Sequence, residues 1–295
     1  MTGNWSLSRP LGVAAVIVGG ASFGFLPLFA RTAYDHGADP FGLLAARFTL
    51  AMVMALLLRA VVRRGVPWPA VRQAAPVLLL GGLGYGPQST FYFYGVQRID
   101  VSLATVIFFV FPVFVVIADW VLFGARPTRA MTVCLAATVT GAVLTAGQVG
   151  SGSGAGVALM LSAAAWYTGY ILVSSRILRG IDPFTSLALA MVGAAAAHVV
   201  VLLVTGSHLP ADATGWWAAA GAAALSTVVA MGLFFAGVTV VGPGQAAVLS
   251  TVEPVVSIAI GVWLLDESLG AVRAAGAALV LVGVTVLARL ASRRA

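Results

Sequence analysis

The stretch between Gly244 and Leu265 is the feature that most constrains this chain, because it is apolar throughout and contains a single ionisable side chain, Glu253. A run of this length and apolarity is typical of a helix that spans a bilayer. Glu253 lies near the centre of the run, where a carboxylate costs at least ~2.5–3.5 kcal/mol and is normally found against a cavity or a partner. Pro254 follows at once and removes a hydrogen bond of the helix at the same depth.

The same pattern occurs in the first half of the chain, where Pro112 lies inside the apolar segment Ile99–Gly124. Two interrupted membrane helices at corresponding positions of two halves are the best indication in a sequence of a transporter's binding site. We therefore predict that Pro112 and Pro254 mark helix breaks that take part in a conformational change.

The composition excludes a soluble domain, since 61% of the residues are hydrophobic and 8% are charged, against about 25% charged residues in soluble proteins. The net charge of +7 is compatible with nucleic-acid binding. The arginines, however, lie mostly in short loops beside apolar runs, so we predict a topology signal and no nucleic-acid partner. The lone Cys134 allows no internal disulfide and no cysteine metal cluster; we predict neither a metal nor a cofactor.

Ten apolar runs with short connections predict an all-α integral membrane protein with ten transmembrane helices. The first run follows Arg9, is long enough to span a bilayer and lacks a convincing cleavage site, so a retained helix is expected in place of a signal peptide. The runs cover approximately 11–33, 41–60, 74–96, 100–123, 129–148, 155–177, 184–205, 215–238, 244–265 and 270–290.

An internal repeat divides the chain near its midpoint. The tripeptide Asp39-Pro40-Phe41 recurs as Asp182-Pro183-Phe184, and Gly141 recurs as Gly283. The offset between these copies matches the offset between Pro112 and Pro254 within one residue. We predict two five-helix units, 1–149 and 150–295, joined at the Gly- and Ser-rich segment 150–156.

Because five helices is an odd number, the two units are predicted to have inverted orientations. With both termini in the cytoplasm, twelve arginines lie in inner loops and tails, and three lie outside: Arg31, Arg98 and Arg273. This asymmetry follows the positive-inside rule. The prediction is a multi-pass protein of the cell membrane with both termini cytoplasmic.

Four segments of the chain have sequences typical of one transporter family: Phe93–Thr105, Val106–Gly124, Ala163–Tyr167 and Leu249–Ser268. In these segments the chain resembles EamA-type members of the drug/metabolite transporter superfamily. The resemblance implies alternating access by an inverted-repeat carrier, often an exporter of amino acids or other small metabolites, with a cavity lined largely by helices 1, 3, 4, 6, 8 and 9. The first unit departs from the second in having Phe111 in place of Glu253 and Ala125 in place of Glu267.

Glu253 has three interpretations. It binds a cationic or amino group of the substrate, it carries a proton whose release is coupled to transport, or it is the structural partner of Arg47. Desolvation in an apolar cavity would favour the protonated form.

Three other ionisable groups lie within the predicted spans. Arg47 either clamps a substrate carboxylate with its planar fork or makes a structural pair between helices, and the structural role is favoured because helix 2 is not among the main cavity helices of the family. Asp119, near one end of helix 4, forms either an inner gate or a local interfacial pair. His198 is either a proton relay or a structural residue that is hydrogen-bonded to a neighbour.

Aromatic and amide side chains are the remaining candidates for a substrate cavity. Gln88, Tyr92 and Trp166 lie too deep for an interfacial belt, and Trp166 shares a helix face with Tyr170, one turn further along. Amphipathic rings in a cavity can stack on planar or cationic substrates.

The leading functional hypothesis is a secondary transporter of a small-molecule substrate such as an amino acid, an amine or a related compound, in the lipid bilayer and with proton coupling. No phosphate-binding loop is present, so direct use of ATP is not indicated. The alternatives are a flippase for lipids or lipid-linked precursors with the same architecture, and a membrane-embedded enzyme. Small residues four apart allow close helix packing within a monomer or between the copies of a homodimer.

Overall fold

The computed structural model describes residues 8–124, 126–146, 154–178, 180–241, 246 and 249–292, and every regular element within them is helical. Two short π-helical segments, π1 and π2, interrupt α-helices. In chain order the elements are α1 (Arg9–Gly24), α2 (Leu26–Asp35), α3 (Pro40–Val62), α4 (Val71–Leu79), π1 (Leu80–Tyr85), α5 (Gly86–Arg98), α6 (Val101–Phe108), α7 (Phe111–Phe123), α8 (Arg129–Ala146), α9 (Gly154–Ile177), α10 (Pro183–Thr205), α11 (Ala213–Ala223), π2 (Ala224–Val229), α12 (Ala230–Val241), α13 (Val252–Leu264) and α14 (Ala271–Ser292).

Seven helical stretches in the described residues are long and apolar enough to cross a membrane, and two shorter apolar helices accompany them. The all-helical, multi-pass prediction is therefore confirmed, whereas the count of ten spanning helices stays a prediction. The seven stretches are Arg9–Asp35, Pro40–Val62, Val101–Leu122, Gly154–Ser174, Pro183–Thr205, Ala213–Val238 and Ala271–Leu290; the shorter two are Arg129–Thr145 and Val252–Leu264.

The packing of the helices follows the internal repeat. α3 packs on α10 and α8 packs on α14, and each of these pairs joins corresponding helices of the two units. α1 packs on α12, while α9, the counterpart of α1, packs on α5, the counterpart of α12. Each of these contacts therefore has a counterpart in which the two units have swapped roles. This is expected when two copies of one unit bury the same helix faces.

Glycines let helix backbones touch where the two units meet. A Cβ on Gly81 of π1 would collide with the carbonyl oxygen of Ala190 in α10, and one on Gly193 would collide with that of Leu78 in α4. Since a membrane offers little hydrophobic drive between helices, such close approach is a main source of association energy.

Two equivalent aspartates begin α3 and α10 and also tie the units together. Asp39 accepts a hydrogen bond from the Gly42 amide at the start of α3 (2.8 Å) and one from the His208 amide (2.7 Å). Asp182 accepts from the Thr185 amide (2.9 Å) and pairs with the Arg63 side chain (2.6 Å). We call the end of the bundle with the loops 36–39 and 206–212 the histidine end, and the end with Arg63 and Asp182 the arginine end.

A second carboxylate at the histidine end, Asp212, precedes α11. Its side chain accepts from the Gly215 amide (2.9 Å) and lies 2.6 Å from Nδ1 of His36. The Ala211 amide also donates to the His36 carbonyl (2.9 Å). These contacts join the loops that follow α2 and α10, one from each unit.

The first prediction concerns acid stability at this end. The Gly215 amide, followed by the His36 side chain, lowers the pKa of Asp212 below its ordinary value. A lowered carboxyl pKa stabilises the fold above the unfolded value, about 4 for aspartate, and this contribution is lost as the pH falls through the lowered pKa. We expect the melting temperature of Asp212→Asn to fall less on acidification below about pH 4 than that of the wild type. Asp35→Asn, an exposed neighbour, is the control; an identical acid profile for Asp212→Asn and wild type would contradict the expectation.

A second prediction tests the close backbone contact of α10. Gly193→Ala forces a methyl group against the Leu78 carbonyl, and overpacking of this kind costs about 1–3 kcal/mol. Gly169→Ala in α9 meets nothing within 4 Å, and it replaces a poor helix former by a good one. We expect a lower melting temperature in detergent for Gly193→Ala and an equal or higher one for Gly169→Ala. Equal melting temperatures for the two variants would show that the contact is not tight.

Candidate functional site

Both predicted prolines lie in the first turn of a helix that follows an interruption. α6 ends at Phe108 and α7 begins at Phe111, so Pro112 is the second residue of α7. α13 begins at Val252, so Pro254 is its third residue. The first turn has no intrahelical acceptor for its amides, and a proline there loses no hydrogen bond.

Glu253 consequently lies in the first turn of α13. The free amides and the helix dipole at this position favour a negative charge. The side chain is partly buried. Because the helix is interrupted, the carboxylate lies at the start of a helix. In the sequence it lies near the centre of one continuous apolar run.

A third interruption separates α1 from α2 at Phe25, and the sequence analysis missed it. Its signal in the sequence is Pro27, which cannot donate to the carbonyl one turn earlier. Hydroxyl groups of the second unit satisfy two carbonyls near the break: Ser226 donates to Ser22 (2.6 Å) and Ser257 donates to Gly24 (3.0 Å).

The two π-helical segments were also missed, although they occupy matching places in the two units. The repeat offset that carries Pro112 onto Pro254 carries π1 onto the range 222–227, which overlaps π2. In π2, the Thr227 hydroxyl donates to the Ala222 carbonyl (2.9 Å), and in π1 the Trp166 indole donates to the Gly84 carbonyl (2.9 Å). Short π-helical segments often occur at functional sites.

Arg47 bridges the two π segments. Its Nε donates to the Thr227 hydroxyl (3.0 Å) and its Nη2 to the Tyr85 hydroxyl (3.2 Å). Because Tyr85 and Thr227 are separated by the same repeat offset, the guanidinium joins equivalent positions of the two units. It is fully buried, lies 5.0 Å from the ring centre of Phe48 and 5.3 Å from that of Phe93, and leaves Nη1 without an acceptor among the described residues.

Glu253 is close to the same region but does not pair with Arg47. Within the described residues no ion pair joins the two side chains. The Tyr92 hydroxyl interacts electrostatically with both charges, and the Tyr167 hydroxyl interacts with Glu253. The phenol of Tyr92 therefore lies in the field of a cation and of a carboxylate that are not neutralised by each other.

An aromatic cluster lies beside Arg47, which donates to the hydroxyl of its member Tyr85. We use this name for Tyr85, Tyr92, Phe108, Phe111, Tyr167 and Tyr170, whose rings form a chain of contacts with centroids 5.0–5.9 Å apart. Phe111, the repeat counterpart of Glu253, contacts Tyr167, the same tyrosine that interacts electrostatically with Glu253.

The remaining predicted residues are dispersed around this region. Gln88 is buried in α5 and bonds to Ser89 (3.5 Å), and Trp166 is 45% exposed. Asp119 lies in α7, but its side chain is outside the described part of the structure. His198 is buried, with Nδ1 2.9 Å from the Ala194 carbonyl and Nε2 3.2 Å from the Thr90 hydroxyl.

A set of contacts at the histidine end, which we call the latch, joins the start of α6 to the loop after α13. The Glu267 carboxylate accepts from the amides of Val101 (2.5 Å) and Ser102 (2.9 Å) and from the Ser102 hydroxyl (2.6 Å). Arg273 pairs with Asp100 at 2.6 Å. A carboxylate on free helix amides gains both hydrogen bonds and the dipole interaction. In the first unit, Ala125 takes the place of Glu267 and lies outside the described residues.

The helix topology and the charged, interrupted centre define a multi-pass helical membrane protein with a two-unit architecture. The EamA-like transporter family matches residues 10–147 and 154–289, one match for each unit. The chain belongs to this family, and thus to the drug/metabolite transporter superfamily, whose EamA members are membrane transporters and not enzymes.

A crystal structure with 20% sequence identity has the same fold, with a TM-score of 0.69 over 97% of this chain and 99% of its own. No curated protein matches the sequence.

A third prediction concerns the latch. Glu267→Ala removes the acceptor for two helix amides and one hydroxyl, so we expect the start of α6 to separate from the loop after α13. Nitroxide labels at Gln97 and Ser268, in a Cys134→Ser background, would report a broader and longer distance distribution by electron paramagnetic resonance. Asp266→Asn, which changes the neighbouring exposed carboxylate, should leave the distribution as in the parent. An unchanged distribution in Glu267→Ala would exclude a latching role.

Proposed function

We propose that this protein is a secondary transporter that exports a small metabolite, such as an amino acid, an amine or a related compound, across the cell membrane by alternating access. The observation that carries the proposal is the site between the units. There, Arg47 bridges π1 and π2 and donates to Tyr85 of the aromatic cluster, and Glu253 lies in the first turn of α13. Charged groups inside a membrane bundle are costly and are typical of substrate or ion pathways.

The helix interruptions supply the movement that alternating access requires. Transporters with inverted repeats bind the substrate near the midplane between discontinuous helices and move one group of helices against the other. Here the interruptions before Phe111 and Val252 lie at equivalent places in the two units. α3 and α10 are tied at both ends through Asp39 and Asp182, so we assign them to the fixed scaffold.

The proposed direction of transport is outward. The arginine distribution predicts that the histidine end faces outside, and the latch joins two helices at that end. In the proposed export cycle the substrate enters from the cytoplasm while the latch is closed, and its release to the outside requires the latch to open.

Glu253 is the proposed coupling group. The carboxylate has no ion-pair partner among the described residues, and its charge interacts electrostatically with the phenols of Tyr92 and Tyr167. When ionised it attracts an ammonium group of the substrate, and when protonated it no longer does so. Exchange of a proton for a substrate cation at one carboxylate couples transport to the proton gradient.

The fourth prediction tests this role. Glu253→Gln keeps the size and hydrogen-bonding capacity of the side chain but removes its charge and its proton exchange. In proteoliposomes loaded with a panel of labelled amino acids and amines, we expect the variant to lose flux, or to lose the dependence of flux on pH between about pH 5.5 and pH 8.

The control for this experiment is the folded state of the variant. A wild-type elution profile and melting temperature would separate a transport defect from misassembly, which a purely structural role of Glu253 predicts. Wild-type flux at every pH would refute the coupling role.

A further inference from the structure

Arg47 is a buried cation for which the described residues provide no ion-pair partner. Several of the described carboxylates are engaged elsewhere: Asp39, Asp100, Asp182 and Asp212 have basic partners of their own, and Glu267 caps α6. Glu253 makes no ion pair with it. A charged group in this setting is strongly destabilising unless a counter-charge approaches it.

The orientation of the guanidinium is set by the two π segments. Thr227 and Tyr85 engage Nε and Nη2, and Phe48 and Phe93 lie within cation–π distance. Nη1 remains as a buried donor without an acceptor among the described residues. A buried donor that is left unpaired is costly, and more so when it is charged, so the arrangement favours an incoming acceptor at that nitrogen.

Arg59 shows what a structural arginine looks like in the same protein. It is 5% exposed, and its Nε donates to the Thr185 hydroxyl (3.0 Å) while its Nη2 donates to the carbonyls of Val66 (2.9 Å) and Pro67 (3.3 Å). Its guanidinium also stacks 3.6 Å from the Trp68 ring centre. Within the described part of the chain, Arg59 ties a loop to the arginine end and has no buried donor left over, in contrast to Arg47.

We propose that Arg47 binds a carboxylate of the transported compound, so that the substrates are small molecules that carry a carboxylate group. The inference rests on the proposed function and specifies its substrate class. A carboxylate both neutralises the guanidinium and accepts from Nη1, and charge-assisted bonds of this kind are the strongest that a neutral-pH site offers.

The position of Tyr85 indicates how the rest of the substrate lies. Its hydroxyl accepts from Arg47 and its ring contacts Tyr170 of the aromatic cluster, with the ring centroids 5.7 Å apart. The apolar body of a compound whose carboxylate is at the guanidinium therefore lies against these rings. Since Tyr85 and Thr227 belong to different units, the bound carboxylate is attached through Arg47 to both.

Three probes with the same ring and different charges test the assignment: phenylglycine, phenylacetate, which lacks the amine, and benzylamine, which lacks the carboxylate. Dissociation constants are measured on the purified full chain by calorimetry, with melting temperatures as a second readout. We expect phenylglycine and phenylacetate to bind about tenfold or more tightly than benzylamine, because hydrogen bonds to charged groups are worth at least that factor.

The variants separate binding from structure. Arg47→Gln should remove the preference for phenylacetate over benzylamine, and Arg47→Lys should restore part of it. Arg59→Gln, the matched control, should lower stability and keep the preference. If Arg47 had only a structural role, its substitution would lower stability without changing the ratio of the dissociation constants of phenylacetate and benzylamine.

The wild-type comparison decides the matter even if Arg47→Gln fails to fold. Equal or tighter binding of benzylamine, or no binding of either carboxylate probe, overturns the assignment, as does an unchanged ratio in Arg47→Gln. Flux assays with the same probes distinguish failure of the carboxylate-site proposal from failure of the proposed transport function. Arg47-dependent binding without flux would refute transport alone, whereas flux of benzylamine equal to that of phenylglycine would refute the carboxylate site alone.

Discussion

The burial of the Arg47 guanidinium in the middle of a helical bundle is the constraint around which the centre of this protein is arranged. A cation in this position needs hydrogen-bond acceptors and aromatic faces, and α-helices with closed backbone ladders offer few acceptors to a neighbour. The protein meets this need with hydroxyl side chains on two π-helical segments, where Tyr85 and Thr227 point to the same guanidinium. The phenylalanine rings of Phe48 and Phe93 complete its surroundings.

The scaffold is symmetric, but the chemistry placed on it is not. Asp39 and Asp182 begin equivalent helices and tie equivalent loops, and the helix interruptions fall at equivalent positions. By contrast, Arg47 has Ala190 as its counterpart, and there the backbone of π1 packs directly on α10 through Gly81. The backbone is thus repeated between the two units, whereas the side chains at the centre and at the two ends differ.

The two ends also differ in the groups that hold them. The arginine end relies on hydrogen bonds and an ion pair of Arg63 and Arg59. The histidine end relies on carboxylates paired with His36 and His208 and on the Glu267 latch. The two ends of the bundle are therefore held by different loop chemistry, as predicted for a repeated unit whose orientation is inverted, since the positive-inside rule acts on the loops and not on the helices.

Hydrophobicity, repeat offsets and loop charges are properties of the chain alone, so the all-helical membrane class and the family followed from the sequence. The helix breaks at Pro112 and Pro254 were predictable for the same reason, because a proline lacks a donor in any context. The break at Phe25, the π segments and the bridge made by Arg47 were not predictable in this way. Each depends on partners far away in the chain, such as Ser257 on Gly24 and Thr227 on Arg47. Only the tertiary structure brings those groups within hydrogen-bond distance. For that reason it alone decided that Arg47 lies against both units and not in a pair with Glu253.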